Sequence, residues 1–211
     1  MDVTPSADDA AVAALTIPQR YDHLYALFSS ERFLKLQGIG NEVPFFICPY
    51  PPQDAVAMQK LAHQLAKRLA VEEGIHVLEI DLYDLAVEML QARGIWEQLL
   101  EIEPDTPKDA LLETLQNVLD PETHLVPAIA DKMGDQQYGI LFLTGVGEVF
   151  PYIRSHNVLN NLQSYAKLRP TVLFFPGRYV HSLEKGASLD LFGILHDDKY
   201  YRAFNVYHIE V

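Results

Sequence analysis

The residues best equipped for chemistry lie where short apolar runs give way to Pro, Gly and polar side chains. Cys48-Pro-Tyr-Pro51 has the outline of a glutaredoxin-like redox motif. An apolar run leads in and a helical pattern leads out, and a helix N-terminus lowers a thiol pKa. The second cysteine position holds Pro51, however, and Cys48 is the only cysteine of the chain. A redox role would require a Cys48 thiol well below its free pKa. The competing expectation is a small thiol at the edge of the core.

The same stretch, Pro49-Tyr-Pro-Pro-Gln-Asp54, stands where a nucleotide-binding fold would carry its phosphate loop. Such a loop needs glycines whose amides cradle phosphate, and a Lys-Ser/Thr pair. Here there is no glycine and no lysine, and prolines have no amide to donate. Asp54 places negative charge where the anion would sit. Gly145-Val-Gly147 is a two-glycine turn rather than a dinucleotide fingerprint, which wants GxGxxG after the first strand. Thr144, Glu148, Arg154, Ser155 and His156 gather around that turn; Ser155 is expected to cap a helix, while Arg154 and His156 could meet a partner or an anion. His196-Asp-Asp198 invites a metal reading, but neighbouring loop residues rarely converge on one ion, and a solvated turn is expected instead. Neither a GxSxG elbow nor an HExxH motif occurs. In the aromatic set Tyr179, Phe192, Tyr200, Tyr201 and Phe204, the two phenylalanines fit a core. Tyr200, Tyr201 and Arg202 fit an interface, where Tyr and Arg dominate binding energy.

The elements that must position these residues follow from periodicity. Residues 17–36 carry Tyr21, Leu24, Leu27 and Phe28 at helical spacing. Residues 43–48 read as a buried strand. Asp54 is the expected N-cap of a helix over 55–73, with Met58, Leu61, Leu65 and Leu69 on its apolar stripe and Gly74 beyond its end. Residues 75–81 form a second strand, so the first unit is strand, helix, strand with a parallel crossover. The stretch to residue 133 is helical and broken by prolines; it exceeds one crossover, so a helical insertion is expected around 83–133. Strands follow at 138–144, 170–175 and 201–211, with a helix over 149–166 between the first two.

This alternation predicts a single three-layer α/β/α domain over 17–211, with a mostly parallel sheet of about five strands. It resembles a P-loop NTPase core without the phosphate-binding loop. Residues 1–16, rich in Ala and Asp and without a basic n-region, read as a flexible tail rather than a signal peptide. In such sheets function gathers beyond the strands' carboxyl ends, here residues 48–53, 81–84, 144–148 and 176–179. A net charge of −13 disfavours direct contact with nucleic acid. No apolar run is long enough to cross a bilayer, and the lone cysteine fits a cytoplasmic protein.

Taken together, Gly145-Val-Gly-Glu-Val-Phe-Pro-Tyr-Ile-Arg-Ser-His156, Leu159-Asn-Asn-Leu162, Pro170-Thr-Val-Leu-Phe-Phe-Pro-Gly177 with Tyr179, and Leu191-Phe-Gly193 through Tyr200-Tyr-Arg-Ala-Phe204 resemble the BrxB family. BrxB is a small component of BREX, the bacteriophage exclusion systems. The resemblance covers the C-terminal third closely. It implies a role in phage defence beside a DNA methyltransferase, a large ATPase and the alkaline-phosphatase-like protein PglZ. It attaches no catalytic residue, cofactor or metal to the chain, and implies an accessory subunit with PglZ as the direct partner. The expected partner surface is Arg154, His156, Arg178, Tyr179, Tyr200, Tyr201 and Arg202. The rival expectation is a regulatory subunit that binds a nucleotide or small ligand near Asp81, Thr144 and Arg154.

Overall fold

The computed structural model describes residues 12, 14–38, 43–182, 186–201 and 203–210. The first element given in full among the described residues is helix α1 (Ile17–Ser29). Thr16 starts it with a capping box, in which Gln19 Oε1 accepts from the Thr16 amide at 2.9 Å. The single helix expected over 17–36 breaks at Ser30, which is extended and uses its own hydroxyl to accept from the Phe33 amide of the short helix α2 (Glu31–Leu34).

Strand β1 (Phe45–Tyr50) leads through a 3-10 turn at Pro52–Asp54 into α3 (Ala55–Glu72). The expectation that Asp54 caps α3 through its carboxylate is not met. Its backbone already follows the preceding turn, with its amide on the Pro51 carbonyl at 2.9 Å, and its side chain caps no amide. Strand β2 (Val77–Asp81) is followed by α4 (Leu82–Ala92), α5 (Trp96–Ile102), α6 (Lys108–Val118), a π-type turn at Pro121–Leu125 and α7 (Val126–Gly134). Then come β3 (Ile140–Thr144), α8 (Ser155–Leu162), β4 (Thr171–Ser182), β5 (Gly186–Leu191), β6 (Leu195–Tyr201) and β7 (Phe204–Asn205).

The parallel strands lie in the order β2-β3-β4-β1-β7. Alternation within each strand separates two cores. Phe46 and Cys48 of β1, Phe142 of β3 and Phe174 of β4 face α1 and α3. Ile47, Leu143 and Leu173 face α4, α7 and α8. The helices divide this way because β1 to β2 crosses the sheet in one direction, while β2 to β3 to β4 steps back in the other. Right-handed crossovers then put their helices on opposite faces. The result is the three-layer α/β/α arrangement with a mostly parallel sheet.

Two features depart from the expected strand pattern. Strand β4 does not end at Phe175 but continues to Ser182. Its second half pairs antiparallel with β5, and β5 with β6, in a hairpin that rises from the carboxyl end of the sheet. The strand expected over 201–211 is instead divided between β6, the two-residue β7 and a 3-10 turn at Val206–His208.

Candidate partner-binding site

The β1 and β3 loops leave the sheet toward opposite faces, on either side of β4. That is where an open α/β sheet forms a crevice. Here the floor of the crevice is built from polar groups already bonded to one another. Asp81, at the end of β2, accepts from the Tyr83 and Asp84 amides at 2.9 and 3.2 Å and from the Thr144 hydroxyl at 2.8 Å. It therefore caps α4 and ties β2 to β3. Gly145, with φ +74°, lets the chain turn beside that carboxylate; a Cβ there would stand 2.6 Å from Asp81 Oδ1. Glu148 follows, and its carboxyl is pushed above its ordinary range by burial, then by the charges of Asp81 and Asp84. This negative corner is a poor host for phosphate. Asp81 and Thr144 share a groove with α3 side chains such as Lys60 and His63, but Arg154 is not among its walls. Among the described cavities, Asp81 and Thr144 line one and Arg154 another.

Cys48 is fully buried on the α3 side, 3.5 Å from the Tyr207 hydroxyl, and burial pushes its thiol up to about 12. A redox thiol needs the opposite shift. Arg20 is also fully buried. It donates to the Val12, Leu15 and Pro49 carbonyls and to the Tyr207 hydroxyl, at 2.7, 3.2, 3.1 and 2.9 Å. It lashes the chain ahead of α1 to the end of β1 and was not anticipated from sequence. The signal available was a lone Arg on the apolar stripe of α1, four residues ahead of Leu24.

The hairpin changes the character of this end of the sheet. At its tip, Leu191-Phe192-Gly193-Ile194 closes with the Ile194 amide on the Leu191 carbonyl at 3.2 Å. Both central residues have positive φ, +56° for Phe192 and +73° for Gly193. That is the type I′ pattern, which favours Asn-Gly, and a phenylalanine in the left-handed region is strained. The tip leaves Phe192 36%, Ile194 76% and Leu195 39% exposed. Ile194 stands between two cavities. One, of about 240 Å³, is walled by apolar groups including Phe150, Ile153, Phe175 and Leu189, with Arg154 at its edge. The other, of about 650 Å³, lies over the ends of β1 and β4 and includes Tyr50, Pro51, Arg20, Arg178 and Tyr179.

The expected partner residues separate on this frame. Arg154 and Arg178 are exposed beside the tip. Arg154 sits over the Phe150 ring at 6.0 Å, and neither guanidinium meets a carboxylate among the described residues. His156 is buried on α8, and Tyr179 is buried with its hydroxyl donating to the Ala203 carbonyl at 2.9 Å. Neither is presented at the surface. Tyr200 and Tyr201 fall on β6, their side chains outside the described residues, as is Arg202. His196, Asp197 and Asp198 belong to strand β6 rather than a solvated turn. Ser155 is the first residue of α8, whose N-cap position is Arg154. Among the described residues no group of three metal-ligating side chains occurs, and no helix is long and apolar enough to cross a membrane.

Comparison with known proteins agrees with the motifs of the C-terminal third. A family model described as "BREX protein BrxB" matches residues 78–206. A Bacillus cereus protein named BREX protein BrxB is 35% identical over 193 residues, 90% of this chain and 97% of that protein. An Escherichia coli protein of the same name is 27% identical over 187 residues, 89% of this chain and 90% of its own length. No solved structure matches. The matched segment runs from within β2 to β7 and contains the hairpin, and the chain belongs to the BrxB family of BREX systems.

Proposed function

We propose that this chain is a non-catalytic subunit of a cytoplasmic bacteriophage-exclusion assembly, acting by protein–protein contact, with the alkaline-phosphatase-like PglZ component as its direct partner. The large ATPase and the methyltransferase of the same system are the next candidates. The observation that carries the reading is the hairpin tip. An exposed Ile194, a strained Phe192 and two arginines that meet no carboxylate among the described residues stand where an enzyme of this architecture would keep its reacting groups. Polar groups deeper in the crevice, Asp81 and Arg20, are engaged in holding the fold. In this reading residues 17–211 form one domain with a helical insertion around 83–133, and residues 1–16 serve as a tail.

The test is co-expression with PglZ of the same system, purification through a tag on PglZ, and light scattering on the eluted species. A stoichiometric complex is expected. If both proteins are folded and elute apart, PglZ is not the direct partner.

A second reading rests on the cavity of about 650 Å³, whose size lies within the range of about 300–1,000 Å³ for small-molecule sites. It makes the chain a ligand-binding regulatory subunit. A thermal-shift screen with ATP, GTP and cyclic dinucleotides separates the two, because a ligand that binds the native state raises its melting temperature.

A further inference from the structure

We infer that the smaller pocket beside the β5–β6 turn seats one apolar side chain of a partner segment whose flanking residues are acidic. This rests on the reading that the chain works by protein contact, and adds which chemistry the contact recognises.

Size comes first. At about 240 Å³ the pocket falls below the span of about 300–1,000 Å³ typical of small-molecule and cofactor sites. It suits a single anchor side chain, the unit from which interface hot spots are built. Most of the lining side chains are apolar, among them Val146, Ile153, Phe175 and Leu189, and the polar ones are Arg154 and Ser155.

Charge comes second. The chain carries 29 acidic and 16 basic residues, so a randomly chosen surface patch is negative. Two arginines nevertheless stand beside the tip. Arg154 borders the small pocket, and Arg178 stands across the tip, its Nε 3.5 Å from where a Gly193 Cβ would be. The described ion pairs engage Lys35, His63, Arg68 and Lys132, and neither of these arginines. Unpaired arginines flanking an apolar socket are complementary to carboxylates flanking an apolar anchor, and such pairs set specificity and association rate.

Backbone strain comes third. Phe192 holds φ +56°, a left-handed conformation that residues with a Cβ rarely adopt. The same turn projects Ile194, 76% exposed, between the two cavities. Strain kept at an exposed apolar tip, where Asn-Gly would serve the fold better, indicates a tip shaped for contact.

The experiment uses the full chain and two labelled peptides followed by fluorescence anisotropy. One has a central leucine with two glutamates on each side, the other the same leucine with lysines. The glutamate peptide is expected to bind at low salt and the lysine peptide to bind more weakly. Arg154→Glu and Arg178→Glu should each weaken the glutamate peptide about fivefold, as rim charges do. Ile194→Asp should weaken it about tenfold or more, while Lys108→Glu, remote from the tip, should leave it unchanged. Melting curves confirm that each variant is folded. Equal binding of the two peptides, no binding of either, or binding untouched by Ile194→Asp overturns the inference.

The same variants in the PglZ co-purification keep the two readings apart. A PglZ complex that survives Ile194→Asp, Arg154→Glu and Arg178→Glu leaves PglZ as partner and removes the tip from the contact. Selective glutamate-peptide binding without a PglZ complex removes PglZ and leaves the pocket's chemistry in place.

Discussion

Replacing Gly177 by alanine is the sharpest test of how the hairpin is set on the sheet. Gly177 lies where β4 stops pairing with β1 and begins pairing with β5, opposite Leu191. A Cβ there would stand 2.1 Å from the Asp190 carbonyl oxygen and 2.7 Å from Cε1 of Phe175. The first contact is with backbone, so no rotamer change relieves it, and β4 and β5 must separate. Overpacking of this kind costs about 3 kcal/mol. At about 2–4 °C per kcal/mol for a chain of this length, the melting temperature should fall by roughly 6–12 °C. Two other glycines serve as internal standards. Gly94 has φ +69° but nothing within 4 Å of its Cβ position, so Gly94→Ala isolates the conformational cost, about 1 kcal/mol. Gly134 ends α7 with open space and no positive φ, and Gly134→Ala should gain about 0.5 kcal/mol through helix propensity. Differential scanning calorimetry on the three variants in one buffer gives the ranking. If Gly177→Ala melts within a degree of the parent chain, or above Gly94→Ala, the close approach of β4 to β5 is wrong. The placement of the tip then falls with it.

Asp81→Ala should lower stability by about 1–2 kcal/mol in urea titration, since it removes the cap of α4 and the Thr144 contact together. Thr144→Val should cost less, because the amide bonds to Asp81 remain. Cys48 should resist alkylation in the native state at pH 8 and react on unfolding. Its thiol is raised by burial, so stability is intact below the free thiol pKa; urea midpoints should fall as pH rises from about 9 toward about 12, and Cys48→Ala should flatten that slope. Glu148→Gln should be slightly stabilising at pH 7, by a few tenths of a kcal/mol because the group is partly solvated. Its raised carboxyl is protonated at low pH, so the gain should appear only as pH rises and vanish near pH 4; a gain independent of pH would refute the charge argument.

The sequence made some elements plain because one period dominated them. In α3 the stripe Met58, Leu61, Leu65 and Leu69 is fully or nearly fully buried, as helical spacing requires. The parallel strands were legible as dense apolar runs, since both of their faces are covered. The hairpin was not. Pro176-Gly177 has the look of a strand end, and Gly186-Ala-Ser-Leu-Asp-Leu191 is poor in β-branched and aromatic residues. Its strand state comes from pairing with β4, not from local preference. Stopping β4 at Phe175 also hid the sorting of site residues. Carried onward, alternation places Phe175, Gly177 and Tyr179 on the inward side and Arg178 outward, which is how the structure has them. His156 was similarly readable, lying three residues before Leu159 on the buried stripe of α8.

The fold has the crevice of an open α/β sheet, and several polar groups near it hold the structure together. Asp81 accepts three hydrogen bonds, Arg20 donates four, and Tyr179 donates one to a backbone carbonyl. Groups so fully engaged gain little from meeting a reacting atom, because each new bond must replace one already made. A catalytic centre is usually recognised by ionisable groups held with their reactive form exposed. Here the strongly shifted thiol of Cys48 is sealed in the core, and burial raises it against the opposing pull of the Tyr207 hydroxyl and the Arg20 charge. Arg154, Arg178 and Ile194 lie at the carboxyl end of the sheet, on and around the hairpin, and neither arginine meets a carboxylate among the described residues. Extending β4 past the end of the parallel sheet therefore does two things at once. It adds side chains over the carboxyl end of the sheet, where they line two cavities, and it places the exposed Ile194 near Arg154 and Arg178.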